Sequence, residues 1–136
     1  MNTFNLKVVT PEKTFFNGKV AQVTVRTTEG DVGILAHHID YCAIIPAGDM
    51  KVKFPDGTVK DSAIANGTIK VTNGDVIILA NSCEWADEID IQWARRSEED
   101  ARQKLQQHLS DQEFKYADLK LKRALNRISV SNSNNK

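Results

Sequence analysis

From Glu88 to the end of the chain there is no glycine and no proline: all seven glycines and all three prolines come earlier. The two residues that most often interrupt helices are therefore missing from that stretch, which excludes a run of tight turns there. Cysteine is scarce as well. Cys42 and Cys83 stand far apart, outside any Cys-x-x-Cys or Cys/His spacing, so no disulfide framework and no zinc site is expected, and both are taken as buried reduced thiols. Net charge is absent too, with 18 Lys and Arg against 18 Asp and Glu. No global field draws the chain to nucleic acid or anionic lipid, and any charged partner must be met by a local patch. No apolar run approaches the ~18–20 residues of a membrane span. The opening "MNTFNLKVV" lacks the basic start and apolar run of a signal peptide, so the chain is expected to stay in the cytoplasm without inserting into a membrane.

What is present falls into two halves with different periods. Up to Asp87, short β-rich runs alternate with turn chemistry. The expected strands are Phe4–Thr10, Ala21–Thr27, Gly30–Leu35, Tyr41–Ile45, Met50–Phe54, Thr58–Ile64, Thr68–Val71 and Val76–Ala80. Met50, Val52 and Phe54 alternate with Lys51 and Lys53, which implies one wet sheet face. Turns are expected at Asn17-Gly18, Pro55-Asp56-Gly57, Asn66-Gly67 and Asn73-Gly74-Asp75, where Gly or Asn supplies a positive φ. Even spacing of short strands favours a β-sandwich or flattened barrel. "EGDVG" at Glu29–Gly33 has no phosphate-loop spacing and reads as a strand bend.

Beyond Asp87 the period becomes helical. A first helix is expected over Asp87–His108, and a second carries Phe114, Ala117, Leu121, Ala124 and Ile128 on one stripe. "SDQE" (Ser110–Glu113) reads as a capping box that starts the second helix after a short turn, giving an antiparallel hairpin. Burying Phe114, Leu121 and Ile128 contributes ~5–9 kcal/mol gross, set against ~1–2 kcal/mol of backbone entropy for each ordered residue. The first helix must add Ala94, Ala101, Leu105 and Leu109, so the hairpin is marginally held. The domains expected are a sandwich over 1–86, a hairpin over 87–130 and a frayed polar tail over 131–136.

Catalytic constellations are missing. His37 and His38 beside Asp40 point to opposite sides of an extended segment and cannot share a metal. Ser82-Cys83 has no motif-placed base. Glu98/Arg102 and Asp100/Lys104 are helix pairs four residues apart on a solvated face. No residue is nominated as catalytic or metal-binding. One asymmetry stands out: the second helix carries Lys115, Lys120, Lys122, Arg123 and Arg127 against Asp111, Glu113 and Asp118. A basic helix with one apolar stripe is either simply solvated or suited to an acidic protein groove.

"VVTPEKTFF", "EGDVGIL" followed by His38, "PAGDMKVK", "IANGTIKVTNGDVIILA", "ADEIDIQWA" and "LKRALNRISV" come in an order that resembles the epsilon-subunit family of bacterial F-type ATP synthases along essentially the whole chain. The resemblance implies a segregated α+β fold: an N-terminal antiparallel β-sandwich of about ten strands, then a C-terminal antiparallel α-helical hairpin. It implies a non-catalytic rotor subunit on the cytoplasmic face of the cell membrane, whose sandwich grips the gamma subunit and seats on the c-ring. The hairpin, when lifted, would enter the alpha/beta head and block ATP hydrolysis. The c-ring contact falls on Glu29, Gly30, Asp31, Gly33 and His38. The inhibitory contact with the beta subunit falls on Lys122, Arg123 and Arg127.

The chain also departs from that family. Ala36-His37-His38 stands where a Pro-Gly-His turn is usual, and Asp40 and Tyr41 are polar where the family is apolar. Some relatives bind ATP on the folded hairpin through an [IL]-D-x-x-R-A motif. Glu84, Ile89, Asp90, Ala94, Arg123 and Arg127 match that set, but Trp93 replaces the motif arginine, and Asp100 and Tyr116 replace two others. A neutral indole cannot supply the paired donors and fixed charge of a guanidinium. No cofactor is expected, with ATP a weak regulatory ligand at most. Trp93 itself is expected to bury and pin the start of the first helix.

Overall fold

The structure, a computed structural model of the chain, describes residues 2–107 and 110–134 and divides into two compact units, 1–85 and 86–136. Eight strands are present among the described residues: β1 (Phe4–Val9), β2 (Thr14–Val20), β3 (Gln22–Thr27), β4 (Gly30–Leu35), β5 (Tyr41–Ile45), β6 (Gly48–Lys53), β7 (Val59–Thr72) and β8 (Asp75–Trp85). They hydrogen-bond in the order β2-β1-β8-β7-β6-β3-β4, with β5 on β7. All pairs are antiparallel except β1 with β8, which run parallel.

The long strands β7 and β8 make this a sandwich, and they bring the count to eight where about ten were expected. The first half of β7 pairs with β6 up to Ile64, and its second half pairs with β5 from Gly67 onward. Between the two halves sits Asn66, at φ 56 in the left-handed region. The expected turn at Asn66-Gly67 is thus a corner inside one strand, which fuses Thr58–Ile64 and Thr68–Val71 into β7. Gly67 is required there: a Cβ would lie 2.0 Å from the Leu79 carbonyl oxygen of β8. Asn17-Gly18 is not a turn either. It belongs to β2, where Gly18 pairs with Leu6. The adjacent Phe15 and Phe16, both half-buried, break the period-two pattern that would have revealed that strand.

Leu6, Val8, Val23, Val25, Ile34, Met50, Val52, Ile69 and Ile78 are fully buried between the layers. Phe15, Phe16, Phe54 and Trp85 close one side of this core with ring centroids 4.8–6.2 Å apart. Cys83 is buried, and desolvation pushes its thiol up to about 12. Cys42 is exposed, contrary to the burial expected for both thiols, because it sits on the outward face of β5.

In the second unit a 3-10 turn (Ala86–Glu88) precedes α1 (Ile91–Leu105) and α2 (Asp111–Asn134). α1 starts later than the expected Asp87 because Asp90 is its N-cap: the backbone is extended there and the side chain accepts from the Trp93 N–H at 3.0 Å. The expected end at His108 lies outside the described residues, as does Leu109. Ser110 accepts from the Glu113 N–H at 3.3 Å at the start of α2. α2 continues to Asn134, so residues 131–134 are helical and not a frayed tail. No proline or glycine stops it, α2 packs on the 3-10 turn, and Ala86, Val130 and Ser131 are buried.

The two helices meet on small residues. Ala94, Ser97 and Ala101 are buried on α1, and Ala117, Ala124 and Ser131 on α2, the latter at intervals of seven. Phe114, expected on the buried stripe, is 49% exposed, and Tyr116, Leu119 and Leu125 are also exposed. An alanine seam brings the backbones close, and the large side chains flank it.

Candidate functional sites on the sandwich and the hairpin

The turn between β3 and β4 is built for rigidity. The register runs from Gln22↔Leu35 to Thr27↔Gly30, which leaves only Thr28 and Glu29 as loop. Gly30 sits at φ 115, a conformation that favours glycine. The buried Thr27 hydroxyl donates to the Gly30 carbonyl at 2.7 Å and accepts from the Glu29 N–H at 3.1 Å, while the Thr28 N–H donates to the Ile44 carbonyl at 3.1 Å. Across the hairpin Arg26 Nε lies 3.5 Å from Asp31 Oδ1. Beside them Asp49 keeps a buried, unbonded Oδ1 while its Oδ2 lies 3.7 Å from Lys51, and burial raises its carboxyl above the usual range.

The five residues expected at one contact are spread along β4 and its two ends. Glu29, Gly30 and Asp31 stand at the turn, Gly33 lies midway along β4, and His38 lies past the other end of that strand. A six-residue strand spans ~20 Å. Around His38 the unusual residues make their own structure. His37 adopts φ 65, left-handed geometry at the position where the family's glycine is usual. The Nδ1–H of His38 donates to the Ile39 carbonyl at 2.7 Å, and its ring packs edgewise on Tyr41. Asp40 Oδ1 accepts from the Asn73 N–H at 3.0 Å, tying this loop to the β7–β8 turn. Among the described residues no three His, Cys, Asp or Glu side chains gather as metal ligands.

Sequence reasoning missed a surface on the outer face of β5, β7, β8 and β1. There the register aligns Ile44, Thr68, Leu79 and Val9 in one row, and Cys42, Lys70, Ile77 and Lys7 in the next. Ile44 is 60% exposed and Leu79 51%. This face is not simply wet. The signal was the unbroken run of apolar residues from Val76 to Ala80, which leaves no polar position for the solvent side.

In the hairpin the nucleotide-like set is partly assembled, and for other ends. Ala94 is in the seam, Asp90 caps the helix, and Glu84 lies on β8 in the first unit. Trp93 is 47% exposed rather than buried, and Arg127 of α2 lies over its ring, 4.9 Å from the centroid. Asp100 bonds Lys120 of α2 at 2.5 Å and Lys104 of its own helix at 3.4 Å. Those ammonium groups, Lys120 foremost, hold its carboxyl below the usual range. Lys122 pairs with Asp118 at 3.0 Å.

The family described as ATP synthase, Delta/Epsilon chain, beta-sandwich domain matches residues 3–86, and the one described as ATP synthase, Delta/Epsilon chain, long alpha-helix domain matches residues 87–132. The chain belongs to the delta/epsilon family of ATP synthase subunits. It is 44% identical to the ATP synthase epsilon chain of Ruminococcus albus, over 97% of this chain and 98% of that one. The epsilon chain of Caldanaerobacter subterraneus is 40% identical, over 95% and 94%. Among solved structures, a chain of the Euglena gracilis mitochondrial ATP synthase superposes with TM-score 0.76 at 24% identity, covering 88% of this chain and 76% of that one. As a member of this family the chain is a non-catalytic subunit of an ATP synthase. No described helix is long and apolar enough to cross a membrane.

Proposed function

We propose that this subunit couples the catalytic head to the c-ring and restrains ATP hydrolysis through its hairpin. The observation that carries the reading is the hairpin's packing. Its helices close on alanine and serine, while Phe114, Tyr116, Leu119 and Leu125 and the basic residues of α2 are left outside the seam. A helix pair held this lightly can separate and use its larger side chains on another protein.

In this reading the row Ile44, Leu79 and Val9 with the neighbouring Ile77 seats the gamma subunit. The rigid Glu29–Asp31 turn meets the polar loops of the c-ring, holding the protein peripherally at the cytoplasmic face of the membrane. Lys122, Arg123 and Arg127 reach an acidic segment of the beta subunit, within the alpha/beta head, when the hairpin lifts. ATP is bound weakly or not at all, because Trp93 replaces a phosphate-binding guanidinium and occupies Arg127 as well.

The test uses the full chain and a form ending at Glu88 with a matching head complex containing gamma. Both forms should co-purify with gamma, and only the full chain should lower ATPase activity. Equal inhibition by the shortened form refutes the regulatory assignment. Loss of co-purification should follow Leu79→Glu. Calorimetric titration of the isolated subunit with ATP should show at most millimolar binding, and a micromolar Kd overturns that part.

A further inference from the structure

Two of the side-chain contacts that cross the hairpin share a design. Trp93 of α1 holds Arg127 of α2 through the ring face, and Asp100 of α1 holds Lys120 of α2 through a charged hydrogen bond. Each pair is seven residues from the other on both helices, so they sit on one side of the alanine seam two turns apart. In each pair α1 supplies the acceptor, an aromatic face or a carboxylate, and α2 supplies the cation. By contrast, Glu98 pairs with Arg102 and Lys122 with Asp118 within a single helix, and those pairs do nothing to close the hairpin.

We propose that Trp93 and Asp100 form a built-in latch that closes the hairpin without a ligand and occupies cations that the lifted hairpin presents to its acidic partner. The second half of this statement rests on the inhibitory reading above. The closed form satisfies Arg127 and Lys120 internally, and the lifted form satisfies them on carboxylates of the head. The same two charges are exchanged between sites rather than exposed unpaired, so neither of these two cations is left uncompensated in either state. Trp93 is then the residue that sets the balance. It is a positioning residue for Arg127, and it makes closure independent of nucleotide.

The experiment follows amide hydrogen exchange of residues 91–105 and 111–130 in the full chain, with the sandwich as internal reference. Trp93→Leu and Arg127→Gln should each speed exchange in both helices by about two- to five-fold, and the double substitution should do no more than either alone. Asp100→Asn should speed it by a similar factor. Asp118→Asn, which removes a pair confined to α2, should leave α1 unchanged. Additive effects of Trp93→Leu and Arg127→Gln, or no effect of Trp93→Leu, overturn the latch. ATPase inhibition then decides the exchange of charges. Trp93→Leu should inhibit the head complex at a two- to five-fold lower concentration. Faster exchange with unchanged inhibition upholds the latch and refutes the exchange of charges, while the inhibitory reading itself falls only if the form ending at Glu88 inhibits as well as the full chain.

Discussion

Ala124 is fully buried on α2, at the middle of the three small residues that repeat there every seven positions. Replacing it with leucine inserts three heavy atoms where the two helices approach on methyl groups. Four buried alanines, Ala94, Ala101, Ala117 and Ala124, contribute ~3 kcal/mol of apolar burial at ~0.8 kcal/mol each. Overpacking a close-fitted site typically costs ~1–3 kcal/mol. One substitution therefore offsets a large part of what the seam's alanines supply, and the open population should rise by about five-fold to over a hundred-fold at ~1.4 kcal/mol per decade. Hydrogen exchange by mass spectrometry on the intact chain measures this directly. Peptides from 91–105 and 111–130 should lose protection by at least the lower factor while β1 to β8 keep theirs. Leu125→Ala, at a neighbouring position that is 39% exposed, serves as the control and should change little. Unchanged or increased protection in Ala124→Leu refutes the close-packed seam, because it means that the helices have room for a larger side chain.

Gly67→Ala places a methyl 2.0 Å from a backbone oxygen of β8, which no rotamer can relieve, so it should lower stability by ~3 kcal/mol or more and drop the thermal midpoint of the sandwich by over ten degrees. Asp49→Asn should raise the thermal midpoint at pH 7: burial lifts the native carboxyl pKa above its unfolded value, so the charged form destabilises the fold at neutral pH. That penalty is relieved as pH falls through the native pKa, and the difference between Asp49→Asn and the parent should close there; a gap that instead widens in acid contradicts the sign. An aromatic disulfide reagent at pH 8 should label one thiol per native chain, Cys42, and reach Cys83 only after denaturation, since the Cys83 thiol is buried and pushed up to about 12.

How far the sequence could be read depended on how local each signal is. β3, β4 and β5 lie within a residue or so of where alternation and turn residues put them, because each is short and bounded by chemistry within a few positions. β7 was split because Asn66-Gly67 looks the same in a hairpin loop and in a corner. Which one forms depends on β5, β6 and β8 together, and that information is not local. β2 was hidden by two consecutive phenylalanines, both of which find places in the aromatic cluster around Trp85. The hairpin was readable as two helices, and Ala94, Ala101, Ala117 and Ala124 lie on the apolar faces expected of them; what the spacing did not show is that these alanines make the close approach while Phe114 stays half exposed. For the site residues, the outline at Ile89, Asp90 and Ala94 was visible, and so was the intruding Trp93. Its partnership with Arg127 was not, since it joins positions 34 residues apart that only the antiparallel packing brings together.

The parallel pairing of β1 with β8 bears on how the subunit is made. Leu6 lies beside Val76, so β1 leaves the ribosome well ahead of β8 and finds that neighbour only after 70 more residues have followed. Until then β1 has β2 alone, and a lone two-stranded ribbon is marginal in water. The sandwich should therefore close late and in one step, once β8 is complete, and closing so long a loop makes that step slow. Chains cut before Asp75 should be left with an unfinished sheet and a target for proteolysis. Chains cut after Trp85 have every strand they need, and the hairpin can form afterwards from contacts of its own.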